Sequence, residues 1–408
     1  MIIEKKISMQ LVCFSHLSWK FVYQRPQHLL SRFTKKYAVY YVEECIYSNE
    51  QDGYSLNITN ENVTVIVPHL NNNTQGGAET KRIENVLKRL FKEHAIRSYI
   101  FWYYTPMALA YTADFNPLAI VYDCMDELSA FKFAPPALKS LEQQLFKKAD
   151  IVFTGGNALY AAKKAQHNNI YSFPSSIDKT HFKAARYNKE EATDQSPIPH
   201  PRLGFYGVID ERFDIDLIKK AADEKPDWHF VLVGPVIKID AATLPLNRNI
   251  HYLGSKDYNE LPSYLSGWDI ALIPFSINES TRYISPTKTP EYLAGGKPVI
   301  STAITDVVNP YHDLGLVHIV HNAKEFVEKA TAELGITDKS EWLVKVDEYL
   351  NAISWDSTWA RMDELMQKEI GKNEHLLTKK NNEYVRLFDS GRRPGRVCTG
   401  RAVGIKSQ

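Results

Sequence analysis

The sequence is poor in cysteine and has no long apolar run. Its four cysteines, Cys13, Cys45, Cys124 and Cys398, form no C-x-x-C pair, which argues against a zinc site or a disulfide framework and favours a reducing compartment. No stretch approaches the ~18 apolar residues that span a bilayer, and residues 1–10 lack the apolar core of a signal peptide. We therefore expect a cytoplasmic protein, which can still work at the inner face of the membrane.

Charge of one sign is not in excess either. Lys and Arg number 49 against 48 Asp and Glu, so the overall charge does not predict nucleic acid as a partner. A chain of 408 residues is longer than one hydrophobic core usually supports. We therefore expect two domains of roughly 150 to 200 residues each.

Apolar segments alternate with helical patterns along most of the chain. The first six are "LVCFSH", "YAVYYVEE", "VTVIVP", "SYIFWYY", "AIVYD" and "DIVFTGG". Several are apolar throughout, which is typical of central strands covered by helices on both faces of a parallel, doubly wound sheet. Residues 183–201 are polar and predict a linker, after which the rhythm restarts at "RLGFYGV". The predicted fold class is α/β, with two tandem Rossmann-like domains, 1–182 and 202–352, facing a central cleft.

Ligands of such sheets bind at the carboxyl ends of the strands, where loops and helix N-termini offer free N–H groups to phosphate. In the second predicted domain these positions carry Arg212 and Lys288. A guanidinium fork and an ammonium suit a diphosphate, which carries about two negative charges. Glu291 lies one helical turn beyond Lys288, where it can accept hydrogen bonds from ribose hydroxyls. The alternative is that Lys288 and Glu291 form an (i, i+3) surface pair.

The segment "SPTKTPEYLAGGKPVIST", which follows "DIALIPFSINES", resembles the donor-binding element of the GT-B glycosyltransferases, particularly the retaining family four. The matching residues are Pro286, Lys288, Glu291, Tyr292, Ala294, Gly296, Lys297, Pro298 and Val299. "LGFYGVIDERFD" and "FVLVGPV" look like the family's phosphate loop and next strand, and the likeness covers roughly residues 10–372. The resemblance implies that Arg212 and Lys288 stabilise charge on the departing phosphate. It also implies donor contacts from Gly207, Pro235, Ser285, Pro286, Thr287 and Glu291.

The turn after the first predicted strand contains no glycine, and neither domain contains G-x-G-x-x-G, which argues against NAD-dependent oxidoreduction. The string "HLSWKFVYQRPQHL" instead resembles a bacterial subgroup of these transferases, similar to teichuronic-acid transferases and to transferases fused to UDP-galactopyranose mutase. The resemblance implies a functional link to such a mutase and an acceptor-side loop with His16, Trp19, Arg25 and Gln27. The alternative is that Trp19 and His28 only pack the loop against the sheet.

Two positions depart from the family pattern. The loop "YDCMDELSAF" places Asp123, Asp126 and Glu127 at a strand end, where carboxylates bind sugar hydroxyls or act as a base. Many family members have a histidine where this chain has Met125, so we assign the catalytic role to Asp126, with a helix cap as the alternative.

The family's usual pair of glutamates is also incomplete. Its second member is Glu291, but Tyr283 occupies the first position. Asn278 or Glu279, slightly upstream in the same loop, could substitute for the missing carboxylate. The geometry of donor-sugar recognition therefore depends on where this loop places them.

These patterns predict a glycosyltransferase that moves a sugar from a nucleotide-sugar donor to a glycan or lipid-linked acceptor of the cell envelope. The resemblance implies retention, and because no D-x-D element sits in a fitting context, we predict no metal and no cofactor. One alternative is a sugar-nucleotide epimerase of the same architecture. Another is a non-catalytic sugar-nucleotide-binding protein, which Tyr283 and Met125 favour.

The end of the chain combines a family-like helix with an unrelated tail. "ISWDSTWARM" resembles the closing helix, predicted at 353–372, that crosses back to the first domain. Residues 381–408 are basic and lack periodicity, so we expect a disordered tail. One interpretation is an arm attracted to anionic lipid, with peripheral membrane association. An alternative is out-of-frame translation of a fusion gene, because a one-base shift of fitting codons for "LFDSGRRPGR" reads "LIVGAGLAG".

Overall fold

The computed structural model describes residues 9–73, 78–187 and 190–389, and the side chains of the last helix as far as residue 375. Two sheets organise the chain, one of nine strands and one of six. The predicted α/β class with two tandem doubly wound sheets is confirmed.

The first sheet is parallel except at one edge. Its order is β3-β5-β2-β1-β6-β7-β8-β9, and β4 pairs with β5 in the antiparallel sense. The strands are β1 (Gln10–Phe14), β2 (Ala38–Val42), β3 (Ile46–Ser48), β4 (Gly53–Ile58), β5 (Val63–Asn71), β6 (Tyr99–Tyr103), β7 (Ala119–Cys124), β8 (Ile151–Thr154) and β9 (Ile170–Ser172). The helices are α1 (Arg25–Phe33), α2 (Glu79–Glu93), α3 (Leu109–Thr112), α4 (Leu138–Lys148), α5 (Asn157–Lys163) and α6 (Lys179–Lys183).

The second sheet is wholly parallel, in the order β12-β11-β10-β13-β14-β15. Its strands are β10 (Arg202–Tyr206), β11 (His229–Val233), β12 (Ile250–Gly254), β13 (Ile270–Ile273), β14 (Val299–Thr302) and β15 (Val317–Val320). The helices are α7 (Ile215–Glu224), α8 (Leu261–Ser266), α9 (Lys288–Ala294), α10 (Thr305–Val307), α11 (Ala323–Leu334), α12 (Ser340–Asn351) and α13 (Trp355–Asp389).

The strand order reverses once in each sheet, and this decides where ligands can bind. The reversal lies between β1 and β6 in the first sheet and between β10 and β13 in the second. At such a point the connections leave in opposite directions and open a crevice outside the carboxyl ends of the strands. The loops after β1 and β10 therefore line the two natural binding crevices.

The central strands are apolar on both faces because helices cover both faces. Every residue of β1, β10 and β13 is buried. The first sheet has a separate apolar cluster on each face, and the tryptophan-bearing start of α13 joins one of them through Trp355, Met362 and Met366. The last helix thus returns from the second domain and packs on the first.

The structure corrects three details of the predicted organisation. The short edge strands β3, β4, β9 and β15 were not predicted, because edge strands carry little of the continuous apolar signal of central ones. Ile177, Phe182 and Ala185 pack in the core of the second domain, although the sequence places them before or just inside the linker. The backbone of α13 stays helical to Asp389, so the segment 381–389 is not a disordered tail. Residues 390–408 lie outside the described residues.

Candidate active site

A cleft of about 1750 Å³ lies between the carboxyl ends of the two sheets. Its walls are the loops that follow β1, β7 and β10 to β13, together with the first turn of α9. Ligand pockets usually measure about 300–1,000 Å³. The cleft is therefore large enough for two substrates at once.

Lys288 is the first residue of α9, and its ammonium faces two aromatic rings. Nζ lies 5.6 Å from the ring centroids of both Phe205 and Phe275. Gly207 makes room for it, since a Cβ at that position would lie 2.4 Å from Lys288 Cε. Burial lowers the pKa of Lys288 to about 8, and the charge of Glu291 opposes this effect. Within the described residues no hydrogen bond or ion pair reaches Nζ, which leaves the charge available to an anionic ligand.

Glu291 is buried one turn along α9. Tyr206, at the end of β10, donates its hydroxyl hydrogen to Glu291 Oε2 at 2.7 Å, and the Tyr206 backbone N–H donates to the Tyr292 hydroxyl at 3.0 Å. Burial raises the pKa of Glu291 to about 7 against the opposing effects of Tyr206 and Lys288. Near neutral pH the carboxyl can thus accept or donate a hydrogen bond to a sugar hydroxyl. The alternative of a Lys288–Glu291 surface pair is wrong.

Asp210 holds Arg212 in the loop after β10. Arg212 Nε donates to Asp210 Oδ1 and Oδ2 at 2.9 and 3.1 Å, and Nη2 donates to Oδ2 at 2.7 Å. Burial lowers the pKa of Arg212, but the bonds and charge of Asp210 outweigh it and raise the pKa overall. Nη1 has no partner in the described part of the chain and is free to meet a ligand. The sequence analysis did not single out Asp210, although an acid two residues before a strand-end arginine is a usable signal.

Two glycines bring the turns after β10 and β11 into contact. Gly207 and Gly234 have φ angles of +135° and +143°, which side chains disfavour. A Cβ on Gly234 would lie 1.9 Å from the Gly207 carbonyl oxygen. The Ile209 N–H donates to the Pro235 carbonyl at 2.9 Å and ties the same two turns. The cleft wall at these two glycines consists of backbone without side chains, which lets a phosphate or a base approach closely.

Asp126 lines the cleft on the side of the first domain. Burial raises its pKa to about 6, against the charges of Arg212 and Arg25. The loop that carries Asp126 is fixed beneath by Lys163, whose Nζ lies 2.8 Å from carboxylate oxygens of both Glu127 and Glu142. Asp126 does not cap the following short helix at Leu128–Ala130, whose N-cap position belongs to Glu127.

Arg25 and Gln27 build the acceptor-side loop from within. Arg25 forms a buried bidentate pair with Asp123, at 2.8 to 3.2 Å, and Nη1 donates to the Phe173 carbonyl at 2.8 Å. Gln27 Nε2 donates to the Trp19 carbonyl at 2.8 Å, and its side chain does not line the cleft. Gln27 therefore supports the loop from inside and does not line the cleft, and the charge of Arg25 is already paired with Asp123.

His16 and Trp19 do line the cleft. Trp19 packs edge-on against Tyr41, with ring centroids 5.0 Å apart. Burial, helped by the charge of Lys238, lowers the pKa of His16 to about 4, and its Nδ1 has no hydrogen-bond partner. The His28 ring stacks on the Trp355 ring with centroids 4.6 Å apart, so His28 packs the loop against the protein, as the alternative interpretation predicted.

Ser285 joins the two domains. Its carbonyl accepts a bond from the Ser175 hydroxyl, and the Ser175 N–H donates to Ser285 Oγ at 3.2 Å. Close by, the Asp306 carboxylate accepts from the Asn157 and Ala158 N–H groups at the start of α5, both at 2.8 Å. Ser285 thus serves domain contact as well as the cleft wall, which it shares with Pro286 and Thr287.

The loop upstream of α9 offers no substitute for the missing glutamate. The Asn278 side chain accepts bonds from the Ser280 and Thr281 N–H groups at 2.9 and 3.2 Å and so caps its own turn. Neither Asn278 nor Glu279 lines the cleft, and Tyr283 packs against a cluster of the first domain. Glu291 is the acid that this element brings to the site.

Comparison with known proteins shows that parts of the chain are similar to glycosyltransferases. Residues 201–334 match the model of the family described as "Glycosyl transferases group 1". The chain is 29% identical over 220 residues to a protein of Bacillus subtilis (strain 168) named as a teichuronic acid biosynthesis glycosyltransferase, TuaH, in a match covering 49% of this chain. The match spans 54% of TuaH, about half its length.

Solved structures share the fold at low identity. Sucrose-phosphate synthase from Thermosynechococcus elongatus superposes with a TM-score of 0.69 at 14% identity, over 89% of this chain and 100% of its own. A structure described as "Trehalose-6-phosphate from E. coli bound with UDP-2-fluoro glucose" gives a TM-score of 0.61 at 11% identity, over 88% of this chain and 99% of its own. The predicted resemblance is confirmed: the chain carries a group 1 glycosyltransferase domain within a GT-B fold.

Proposed function

We propose that the protein is a glycosyltransferase that moves a sugar from a nucleotide-sugar donor to a cell-envelope or polysaccharide acceptor, with retention and without a metal. The observation that carries this proposal is the meeting of Arg212, Lys288 and Glu291 at the switch point of the second sheet. They face the loops of the first domain across one cleft. The family model matched by residues 201–334 supports the same class of reaction.

The donor binds on the second domain. The diphosphate binds the ammonium of Lys288 and Nη1 of Arg212, which have no partner within the described residues. It lies beside the backbone of Gly207 and Gly234. The Arg212 guanidinium, which Asp210 holds in place, and the Lys288 ammonium together match two phosphate groups. Glu291, fixed by Tyr206, accepts a hydroxyl of the ribose or sugar.

The chemistry needs charge stabilisation more than a protein nucleophile. The bond between the anomeric carbon and the phosphate oxygen breaks, and its electron pair leaves on the diphosphate. The acceptor hydroxyl adds to the same face of the sugar, and its proton passes to the departing phosphate. Arg212 and Lys288 stabilise the growing negative charge. Asp126, on the opposite wall, orients hydroxyl groups of the sugar or the acceptor.

The acceptor enters from the first domain, along His16 and Trp19. The likeness to TuaH supports a cell-envelope glycan, which can be lipid-linked and presented at the inner face of the membrane. Within the described residues no helix is long and apolar enough to cross a membrane, so such an acceptor would be met by peripheral association. A functional link to a UDP-galactopyranose mutase, which supplies galactofuranose donors, belongs to the same proposal.

A thermal-shift screen tests the donor site. The protein is heated with UDP, GDP, dTDP and their sugars, and the same series is run on Lys288→Ala and Glu291→Ala. A ligand of the native state raises the midpoint by mass action. We expect a rise with one nucleotide that is lost in both variants. If no nucleotide shifts the wild-type midpoint, the proposal is wrong.

Product analysis then separates transfer from its alternatives. A sugar-nucleotide epimerase would convert the donor with no acceptor present, whereas a transferase needs the acceptor for turnover beyond slow hydrolysis. Donor binding without turnover on any envelope glycan would favour the non-catalytic reading. The volume of the cleft favours transfer, because an epimerase needs room for one substrate only.

A further inference from the structure

Three cations and three phenylalanine rings alternate along the cleft. Lys238 Nζ lies 5.6 Å from the ring centroid of Phe131, and the Arg212 guanidinium carbon lies 5.4 Å from the same ring. Arg212 is also 5.9 Å from Phe275, which Lys288 approaches in turn before it reaches Phe205. We call the set Lys238, Phe131, Arg212, Phe275, Lys288 and Phe205 the cation–aromatic row.

The row crosses from one domain to the other. Phe131 belongs to the loop after β7 in the first domain, the loop that also carries Asp126. Lys238 belongs to the turn after β11 in the second domain. Its charge reaches residues of the first domain on the acceptor side, because it contributes to the lowered pKa of His16 and opposes the raised pKa of Glu44. Lys238 therefore lies at the acceptor end of the row, and Lys288 at the donor end.

Lys238 is not held by an acid. In the part of the chain that the structure describes, no hydrogen bond or ion pair joins its ammonium to another group, and Glu44 forms no ion pair with it. By contrast Lys256, which also lines the cleft, is paired with Asp194 at 2.6 Å. Lys238 is exposed. An aromatic face attracts a cation without satisfying its hydrogen-bond donors, so the donors of Lys238 face solvent, where a ligand can reach them.

The backbone at Lys238 is unusual as well. Its φ angle is +60°, a left-handed conformation that few residues other than glycine, asparagine and aspartate adopt. Strained backbone of this kind gathers at ligand-binding positions, where the surrounding structure maintains it. Here the conformation accompanies a side chain that points across the cleft toward Phe131.

We propose that Lys238 binds an anionic group of the acceptor, a phosphate or a carboxylate, and so selects acidic acceptors over neutral ones. The inference rests on the proposed function, since it assigns the diphosphate of the donor to Arg212 and Lys288. Arg212 keeps its Nη1 donor beside Asp210, and Lys288 keeps its whole ammonium, so each of the two phosphate groups has a cationic donor. The third cation of the row then serves a second anion, and that anion sits beside His16 and Trp19 on the acceptor wall.

The test compares charged and uncharged probes on protein that already holds a nucleotide. Binding is measured by calorimetry on the complex with whichever of UDP, GDP or dTDP gives the largest thermal shift. One pair of probes is farnesyl phosphate and farnesol, and the other is methyl glucuronide and methyl glucoside. The first pair reports a lipid phosphate, the second a sugar carboxylate.

The variants isolate the charge of Lys238. Lys238→Asn removes the ammonium and keeps a residue that tolerates positive φ, and Lys238→Arg restores a cation. Lys256→Asn is the matched control, because it removes a cleft lysine that Asp194 already neutralises. We expect Lys238→Asn to weaken the anionic probe about 10- to 100-fold, as loss of a charge-assisted contact does. Nucleotide affinity, the uncharged probes and the control should stay unchanged, and Lys238→Arg should recover most of the loss.

Each other outcome contradicts the inference. If neither anionic probe binds the wild-type complex, or if Lys238→Asn and Lys256→Asn weaken them equally, Lys238 has no specific anion. If Lys238→Asn weakens the nucleotide itself, the third cation belongs to the donor. Failure of the proposed function looks different, because then no nucleotide binds the wild-type protein at all.

Discussion

Replacing Arg25 by methionine should destabilise the first domain far more than an ordinary arginine substitution. The guanidinium and the Asp123 carboxylate face each other with side-chain exposures of 5% and 0%. Arg25→Met removes two bidentate arms and the bond to the Phe173 carbonyl, and leaves Asp123 buried without its counterion. Breaking a buried pair from one side typically costs about 3–5 kcal/mol.

Urea denaturation measures the effect. With an m-value of about 3 kcal/mol/M, that loss moves the midpoint by roughly 1–1.7 M. The matched control is Arg361→Met, since Arg361 pairs with Glu364 on the exposed face of α13, and its midpoint should not move measurably. The double variant Arg25→Met/Asp123→Leu should recover most of the loss, because well-packed apolar residues can replace a buried ion pair at little or no cost.

Two results would refute this reasoning. If Arg25→Met shifts the midpoint no further than the control, the pair does not hold the loop to β7. If Arg25→Met is stable but binds acceptor poorly, Arg25 contacts the acceptor directly, and its bonds to Asp123 are secondary.

Three further predictions concern the donor side. The pKa of Lys288 in the free protein is lowered to about 8, so its ammonium is charged below that pH and loses its charge above it. Nucleotide affinity, measured by calorimetry, should therefore fall by up to tenfold per pH unit above pH 8. The Lys288→Met variant should bind nucleotide weakly and without this pH dependence. Gly234→Ala should lower the free energy of unfolding by about 1–3 kcal/mol in urea denaturation, since the added Cβ would clash with the Gly207 carbonyl. It should also abolish the thermal shift with nucleotide. An unchanged shift would show that nucleotide binding does not need the turns after β10 and β11 to be in contact. Tyr206→Phe should lower the free energy of unfolding by about 1–3 kcal/mol. The loss should be larger at pH 8 than at pH 6, because the hydroxyl bond that is removed favours the charged form of Glu291, whose pKa is about 7. Equal losses at both pH values would contradict this reasoning.

Much of the proposed donor site could be predicted from local pattern. The strands that end before Arg212 and Lys288 are central and apolar, so their carboxyl ends could be located, and the strand-end rule points to the residues that follow. Gly207 and Glu291 lie in the same two segments, so they were predicted together with Arg212 and Lys288. A single helical turn fixes the relation of Lys288 to Glu291, and that relation holds whatever the rest of the chain does.

The acceptor side was harder because its side chains choose partners far away in sequence. Arg25 looks like a cleft cation until Asp123, ninety-eight positions later, is seen to neutralise it. Gln27 turns inward to the Trp19 carbonyl. His28 is covered by Trp355 of the last helix, which no pattern near the loop could indicate.

The sequence by itself determined the two α/β domains, the crevice between them and the donor element, because these depend on periodicity and on short segments whose geometry is local. Only the tertiary structure decided which charges in the cleft are free. Arg25 and Lys256 are ion-paired with acids, whereas within the described residues no ion pair or hydrogen bond reaches the ammonium of Lys288 or Lys238. The physical reason is that a charged side chain is ion-paired or free to bind a ligand according to its neighbours in space. Those neighbours come from other strands and from the other domain.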